Sequence, residues 1–344
     1  MITLENDRLV FRFPEVHADA ACAIEFQRTL RIPDDGKAYP LPPGFGTFPL
    51  RHLDDFAPRV PEKWLARGGV AMPMHQAEAM WINFHRGWFG AEGYPFAVKI
   101  AAGKINAVTG EAWSNGLNRD PQDYVVATEQ PWLDGYCVEK GFIRQFVAMP
   151  LGRGYTAEEQ LTGAGEHGGV QLVVYPMKAE RYEALKRERE EARGRSGRLG
   201  ITGAIGAPMP AAAAMDMGLA PGGRMKQEIF DDPYGLEAWD LRHSSRCVVP
   251  IANSQSWMSL TGERPPTEPP TAAQYAKARL PWFDYYGGDA KALDGAAKLK
   301  GLDSVATLAN KKGEAALPEN EPAEPGPVIP LGHRPANQVR EMAG

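Results

Sequence analysis

Phe96-Ala-Val-Lys-Ile-Ala-Ala-Gly-Lys-Ile-Asn-Ala-Val108 and, further on, Tyr136-Cys-Val-Glu-Lys-Gly-Phe-Ile-Arg-Gln-Phe-Val-Ala-Met149 are the stretches that decide the fold. In the first, Phe96, Val98 and Ile100 alternate with Ala97 and Lys99, and the chain turns at Ala102-Gly103 into Ile105 to Val108, the period of two of a strand followed by a hairpin. In the second, Tyr136 to Val138 turns through Glu139-Lys140-Gly141 into Phe142 to Met149. There Ile143, Val147 and Met149 share one face and Phe142, Phe146 and Ala148 the other. A strand that is apolar on both faces lies between two layers, so the pair of hairpins predicts an antiparallel, sandwich-like core.

Outward from this centre, Val170 to Tyr175 reads as a further strand ended by Pro176, and Leu9 to Phe13 and Ile24 to Ile32 read as strands near the amino terminus. Between them and the hairpins, residues 40–49 form a proline-rich, extended crossing. Thirty prolines and 37 glycines divide the chain into short elements and argue against long helices. Two segments nevertheless carry a helical pattern. Ala77, Met80, Trp81 and Phe84 place one apolar face on residues 74–85. Residues 179–193 hold only Tyr182 and Leu185 as apolar anchors and a Glu183–Arg187 pair at i, i+4, which predicts a largely solvated helix. The expected class is a β-rich α+β fold with few short helices.

After that helix the composition breaks. Gly194, Gly197, Gly200, Gly203 and Gly206 recur every third residue, followed by Ala211 to Ala214. The expected organisation is a β-rich domain over 1–178, the charged helix 179–193, a Gly/Ala-rich connector over 194–225, a C-terminal portion 226–312 packing back on the core, and a proline-rich tail 313–344. In the C-terminal portion, Lys226 to Phe230 and Cys247 to Ile251 read as strands, Thr271 to Leu280 as a short helix, and Ala290 to Lys312 as one or two helical turns. The tail has few groups to bury and is expected to be extended unless something holds it.

The 43 acidic and 38 basic side chains are well mixed, giving a formal charge of −5 and no footprint for nucleic acid. Cys22, Cys137 and Cys247 form no Cys-x-x-Cys pair and read as buried thiols in a reducing compartment. The amino-terminal residues do not have the pattern of a secretory signal, so a cytoplasmic address is the expectation. Residues 201–220 are the most membrane-like stretch, but Pro208, Pro210 and Asp216 interrupt it, and membrane association is not expected.

Chemistry leaves weaker marks. On the 74–85 segment, His75, Glu78 and His85 share the face opposite the apolar stripe, a combination able to meet a metal ion, although without HExxH spacing; no metal or other cofactor is expected. Acids beside aromatics recur in Trp132-Leu-Asp134-Gly-Tyr136-Cys-Val-Glu139 and in Trp282-Phe-Asp284-Tyr-Tyr286, the pairing used by sugar-cleaving sites. Asp134-Gly135 is equally what a turn looks like. His243-Ser244-Ser245 offers an imidazole and a hydroxyl for nucleophilic catalysis, without the Gly-x-Ser-x-Gly elbow. Gly152-Arg153-Gly154 and Gly163 to Gly169 lack the Gly-Lys-Ser/Thr of a phosphate loop and read as tight turns.

Arg31 to Gly46, Trp132 to Gly163 and Met217 to Gly235 together resemble a family of uncharacterised bacterial and fungal proteins. The resemblance implies that 217–235 belongs to the folded module; it brings no activity and no functional residue. The leading expectation is a non-enzymatic binding or self-assembling structural protein that uses strand edges and the C-terminal tail for self-association. The alternatives are a glycosidase- or esterase-like hydrolase built on Asp134 and Glu139 or on His243 and Ser244, and a membrane-active protein deploying 201–220.

Overall fold

The computed structural model describes residues 1–84, 93–193, 216–286 and 291–332. Two sheets dominate them. The larger has 13 strands, its main path running Ile2–Leu4, Leu9–Arg12, Ala21–Thr29, Ala79–Asn83, Phe142–Pro150, Asp216–Lys226, Ile251–Asn253, Val70–Met74 and Arg51–His52. The smaller has Ile105–Asn106, Phe96–Ala102, Val170–Pro176 and Ser245–Val249 in that order, with Val125–Val126 also on Phe96–Ala102. Most pairings are antiparallel, and the fold is β-rich α+β as its sequence predicts.

Both hairpins are present. Ala102 faces Ile105 across the first, and Cys137 faces Ile143 across the second. Every residue of Phe96–Ala102 and of Val170–Pro176 is buried, because these two neighbours are covered on both faces. Leu9, Phe26, Ile82 and Phe146 from the larger sheet join Val98, Ile100, Leu172 and Val174 from the smaller in one apolar cluster. Even Lys99, in the middle of a buried strand, is accommodated: its Nζ meets Asp123 Oδ2 at 2.5 Å and donates to Ser114 Oγ and the Gly116 carbonyl. A buried ammonium is tolerable only with such a set of partners.

Three expectations are corrected. Residues 74–85 are not a helix: Val70–Met74 and Ala79–Asn83 are strands of the larger sheet, and Ala77, with φ of 66°, lies in the turn between them. Ala79, Met80 and Ile82 are buried and the half-buried position between Met80 and Ile82 is the apolar Trp81, so the apolar positions imitate a helical stripe. The connector proposed for 194–225 ends before Asp216, where the 11-residue strand Asp216–Lys226 runs between Phe142–Pro150 and Ile251–Asn253. Its glycines serve contact and not flexibility, since a Cβ on Gly223 would stand 2.5 Å from the Pro33 carbonyl oxygen. The strand expected at 226–230 is only the end of this one, and residues 227–230 leave the sheet. The Gly-x-y run from 194 to 206 and residues 201–215 of the membrane-like stretch lie outside the described residues. Among those described, no helix is long and apolar enough to cross a membrane.

The helix Ala179–Arg193 forms as expected, burying Tyr182 and Leu185 and exposing most of its charges. Ala272–Lys277 and Val305–Lys312 are short helices, each opened by a side-chain cap, Thr271 and Ser304. The tail returns to its own chain as far as Gly332. Val328–Gly332 pairs in parallel with Trp282–Tyr286, Arg31 Nη2 donates to Asn320 Oδ1 at 2.8 Å, and Ala323 is buried.

Candidate functional site

Asp134 and Glu139 stand at opposite ends of the strand Gly135–Glu139, about 16 Å apart at the rise of an extended chain. They also occupy different environments. Glu139 is at the surface, paired with Arg224 at 2.8 Å and Lys300 at 3.1 Å, and the Lys300 hydrogen bond in particular holds its carboxyl below the ordinary value. Asp134 is buried. Its backbone N–H donates to Gln227 Oε1 at 2.9 Å, and Gln227 Nε2 donates to its Oδ2 at 2.6 Å. Burial pushes its carboxyl up to about 7, against the hydrogen bonds from Gln227 and Trp132. The two acids therefore do not form a catalytic pair. Nor is Asp134-Gly135 a turn: Gly135 begins the strand, and it is glycine because a Cβ there would lie 1.9 Å from the Arg144 carbonyl oxygen.

What the structure brings together is the two aromatic segments. Trp132 and Tyr285 meet edge to face with ring centroids 4.8 Å apart, and Trp81 closes on the other side of Trp132 at 6.1 Å. In front of them opens a cleft of about 380 Å³ walled by Trp132, Tyr285, Phe142 and Leu41, with Glu228 and Asp284 at its rim. Glu228 and Asp284 are exposed, and their carboxylates have no partner among the described residues. Gln130 and Gln227 also line the cleft, but their amides are spent on the protein. Gln130 accepts from the Phe230 N–H and donates to the Trp132 and Glu228 carbonyls, while Gln227 holds Asp134. They fix the wall and leave the two carboxylates as its free acceptors. Leu41, Trp132 with Phe142, and Gln227 with Glu228 reach the cleft from three stretches distant in sequence.

The other predicted residues separate. His243 Nδ1 lies 2.9 Å from Asp240 Oδ2, a partner that sequence reasoning passed over although it stands three residues upstream. Ser244 is exposed, and no hydrogen bond joins it to His243. His75 and Glu78 lie close, the His75 N–H donating to Glu78 Oε2 at 2.9 Å, but the carboxylate is taken by Arg28 at 2.7 Å and His75 Nε2 meets the Pro266 carbonyl at 2.7 Å. His85 lies outside the described residues, and among those described no cluster of ligand residues suits a metal ion. The glycine loop at 163–169 does gather backbone N–H groups, those of Glu166, His167 and Gly168, around one anion. That anion is the protein's own Glu158 carboxylate, at 2.8–2.9 Å from each, so no place is left for a phosphate. Burial raises the thiols of Cys137 and Cys247 to about 12, which leaves them inert as nucleophiles.

Comparison with protein-family models, curated proteins and solved structures gives no match.

Proposed function

We propose that the protein binds a sugar in the cleft between Trp132 and Tyr285, as a binding protein and not as a glycosidase. The observation that carries this reading is the meeting of the two aromatic–acid segments, distant in sequence, at a ring contact of 4.8 Å beside two unpartnered carboxylates. The C–H face of a pyranose is apolar and faintly positive, and matches the negative face of an aromatic ring. Its hydroxyl groups are donors, and a carboxylate has acceptor sites only. Rings on the wall and acids at the rim offer both surfaces at once. A volume of about 380 Å³ is at the small end of the range for ligand sites and suits one or two sugar rings. Cleavage is not part of the proposal, because Asp134, the acid with a raised carboxyl, is sealed behind Gln227.

Titration calorimetry and tryptophan fluorescence with cellobiose, maltose, xylobiose and diacetylchitobiose test it. At least one sugar is expected to bind saturably and perturb the fluorescence. Tyr285→Ala should weaken that binding about tenfold, equivalent to about 1.4 kcal/mol, and Asp284→Asn, at an exposed position, should weaken it without altering thermal stability. No saturable binding across the panel, binding that survives both substitutions, or binding of choline in place of every sugar would overturn the reading.

A further inference from the structure

A second cleft, of about 770 Å³, lies away from the aromatic one and contains the Asp240–His243 pair. The turn that carries the pair is rigidly placed. Trp239 is buried with its Nε1 donating to Asp232 Oδ2 at 2.9 Å, and the Asp240 N–H donates to the Pro176 carbonyl at 2.9 Å, which pins the turn to the end of the Val170–Pro176 strand. Asp240 Oδ1 then accepts the Arg242 N–H at 2.9 Å, an Asx turn that leaves Oδ2 for His243.

The chemistry of the imidazole follows from this arrangement. Burial raises the Asp240 carboxyl, but the hydrogen bonds from His243 and from Arg242 more than offset it and hold it below the ordinary aspartate value. An ionised carboxylate only accepts, so Nδ1 of His243 carries the proton that joins the pair, and the neutral form of the ring has its lone pair on Nε2. Nε2 has no protein partner among the described residues, and the ring is one-third exposed where it lines the cleft. A buried acid that fixes the tautomer and orientation of a histidine open to a cleft is the supporting half of a general-base site.

We propose that Asp240 and His243 hydrolyse small uncharged esters in this cleft, with water as the nucleophile. His243 Nε2 takes a proton from water as the water oxygen bonds to the acyl carbon, and the carbonyl π electrons move onto the carbonyl oxygen. Lys178 and Arg242, which line the same cleft, are the cations available to that oxyanion. When the carbonyl re-forms, the bond to the leaving alcohol breaks, and the departing oxygen takes the proton from His243; the acid product then loses its own proton to solvent. Asp240 remains ionised throughout. Glu15, Glu180 and Glu237 also line the cleft, so with Asp240 its acids outnumber its two permanent cations. This balance disfavours anionic acyl groups relative to uncharged ones and speeds departure of the carboxylate product. Ser244 is not required.

The test is hydrolysis of 4-nitrophenyl acetate by the full chain, with His52→Gln, an exposed histidine on the strand Arg51–His52, as control. Wild type and His52→Gln are expected to turn the ester over equally, and His243→Gln and Asp240→Asn should each lower kcat/KM about a hundredfold. The wild-type pH–rate profile should rise with one deprotonation, and His243→Gln should lose that rise while keeping the wild-type melting temperature. Turnover that His243→Gln retains to within about twofold, an equal loss in His52→Gln, or a wild-type rate no higher than that of His243→Gln would overturn the proposal.

Discussion

Asp134 and Asp240 both expose little surface and each stands beside a cleft, but Asp134 is the more deeply enclosed of the two and their carboxyls shift in opposite directions. Asp134 is held by the side chains of Gln227 and Trp132, neutral donors that do not offset the loss of hydration, and it is raised to about 7. Asp240 is held by His243 and by the N–H and guanidinium of Arg242, and is lowered. Depth of enclosure and the donors that replace water together set the charge of a carboxyl. The consequence for function is direct. An acid raised by burial and sealed behind Gln227 supports a binding wall, and one held low beneath an imidazole supports a base.

A third buried acid gives the largest test of this contrast. Glu78 is raised by burial, yet Arg28 Nη2 stands 2.7 Å away and Arg28 also donates to the Thr267 carbonyl. Arg28→Ala leaves that carboxyl buried without its cation, and urea unfolding at pH 7 should show a loss of about 3–5 kcal/mol. A loss under about 1 kcal/mol would mean that the pair is solvated and that burial is not the dominant influence on it.

Asp134 and Asp240 then separate by the sign of their pH dependence. Since the folded value of Asp134 is raised, its neutral form supports the fold at low pH, and that support is lost as pH climbs from the ordinary aspartate value towards about 7. Asp134→Asn should therefore be close to neutral at pH 4 and stabilising by about 2–4 kcal/mol at pH 8, read from urea midpoints at the two pH values. An equal effect at both would show that Asp134 is not neutral in the native protein. Asp240 has a lowered folded value, so its ionised form supports the fold above the ordinary aspartate value and loses that support as pH falls. Asp240→Asn should cost about 1–2 kcal/mol at pH 7, with the difference fading in acid. A stabilising Asp240→Asn would remove the contrast.

Legibility differed from element to element for physical reasons. The hairpins at 96–106 and 135–150 and the helix 179–193 are local patterns of period and turn, and the structure keeps them. The strand at 70–74 was hidden because burial on both faces erases the alternation that marks a strand, and that at 79–83 because its half-buried position is an apolar Trp81. The strand Asp216–Lys226 was hidden because its glycines, which resemble a linker's, are demanded by neighbours such as Pro33 that are remote in sequence. Asp134 and His243 could be singled out as ionisable groups beside aromatics or hydroxyls, but not their partners. Asp240 precedes His243 by one turn and was available to a reading of Asx-turn spacing; Gln227 is brought to Asp134 only by the sheet.

The sequence alone determined the β-rich class, the hairpins, the wet helix and the aromatic character of the 132 and 282 segments, because these depend on residues within a few positions of one another. Tertiary structure decided that the two aromatic segments share a cleft, that the Asp134 carboxyl is raised by burial while that of Asp240 is lowered, and that the tail to Gly332 packs on its own chain. Each of these is a matter of which distant groups replace water around a side chain or a strand edge, and local pattern carries no record of that replacement.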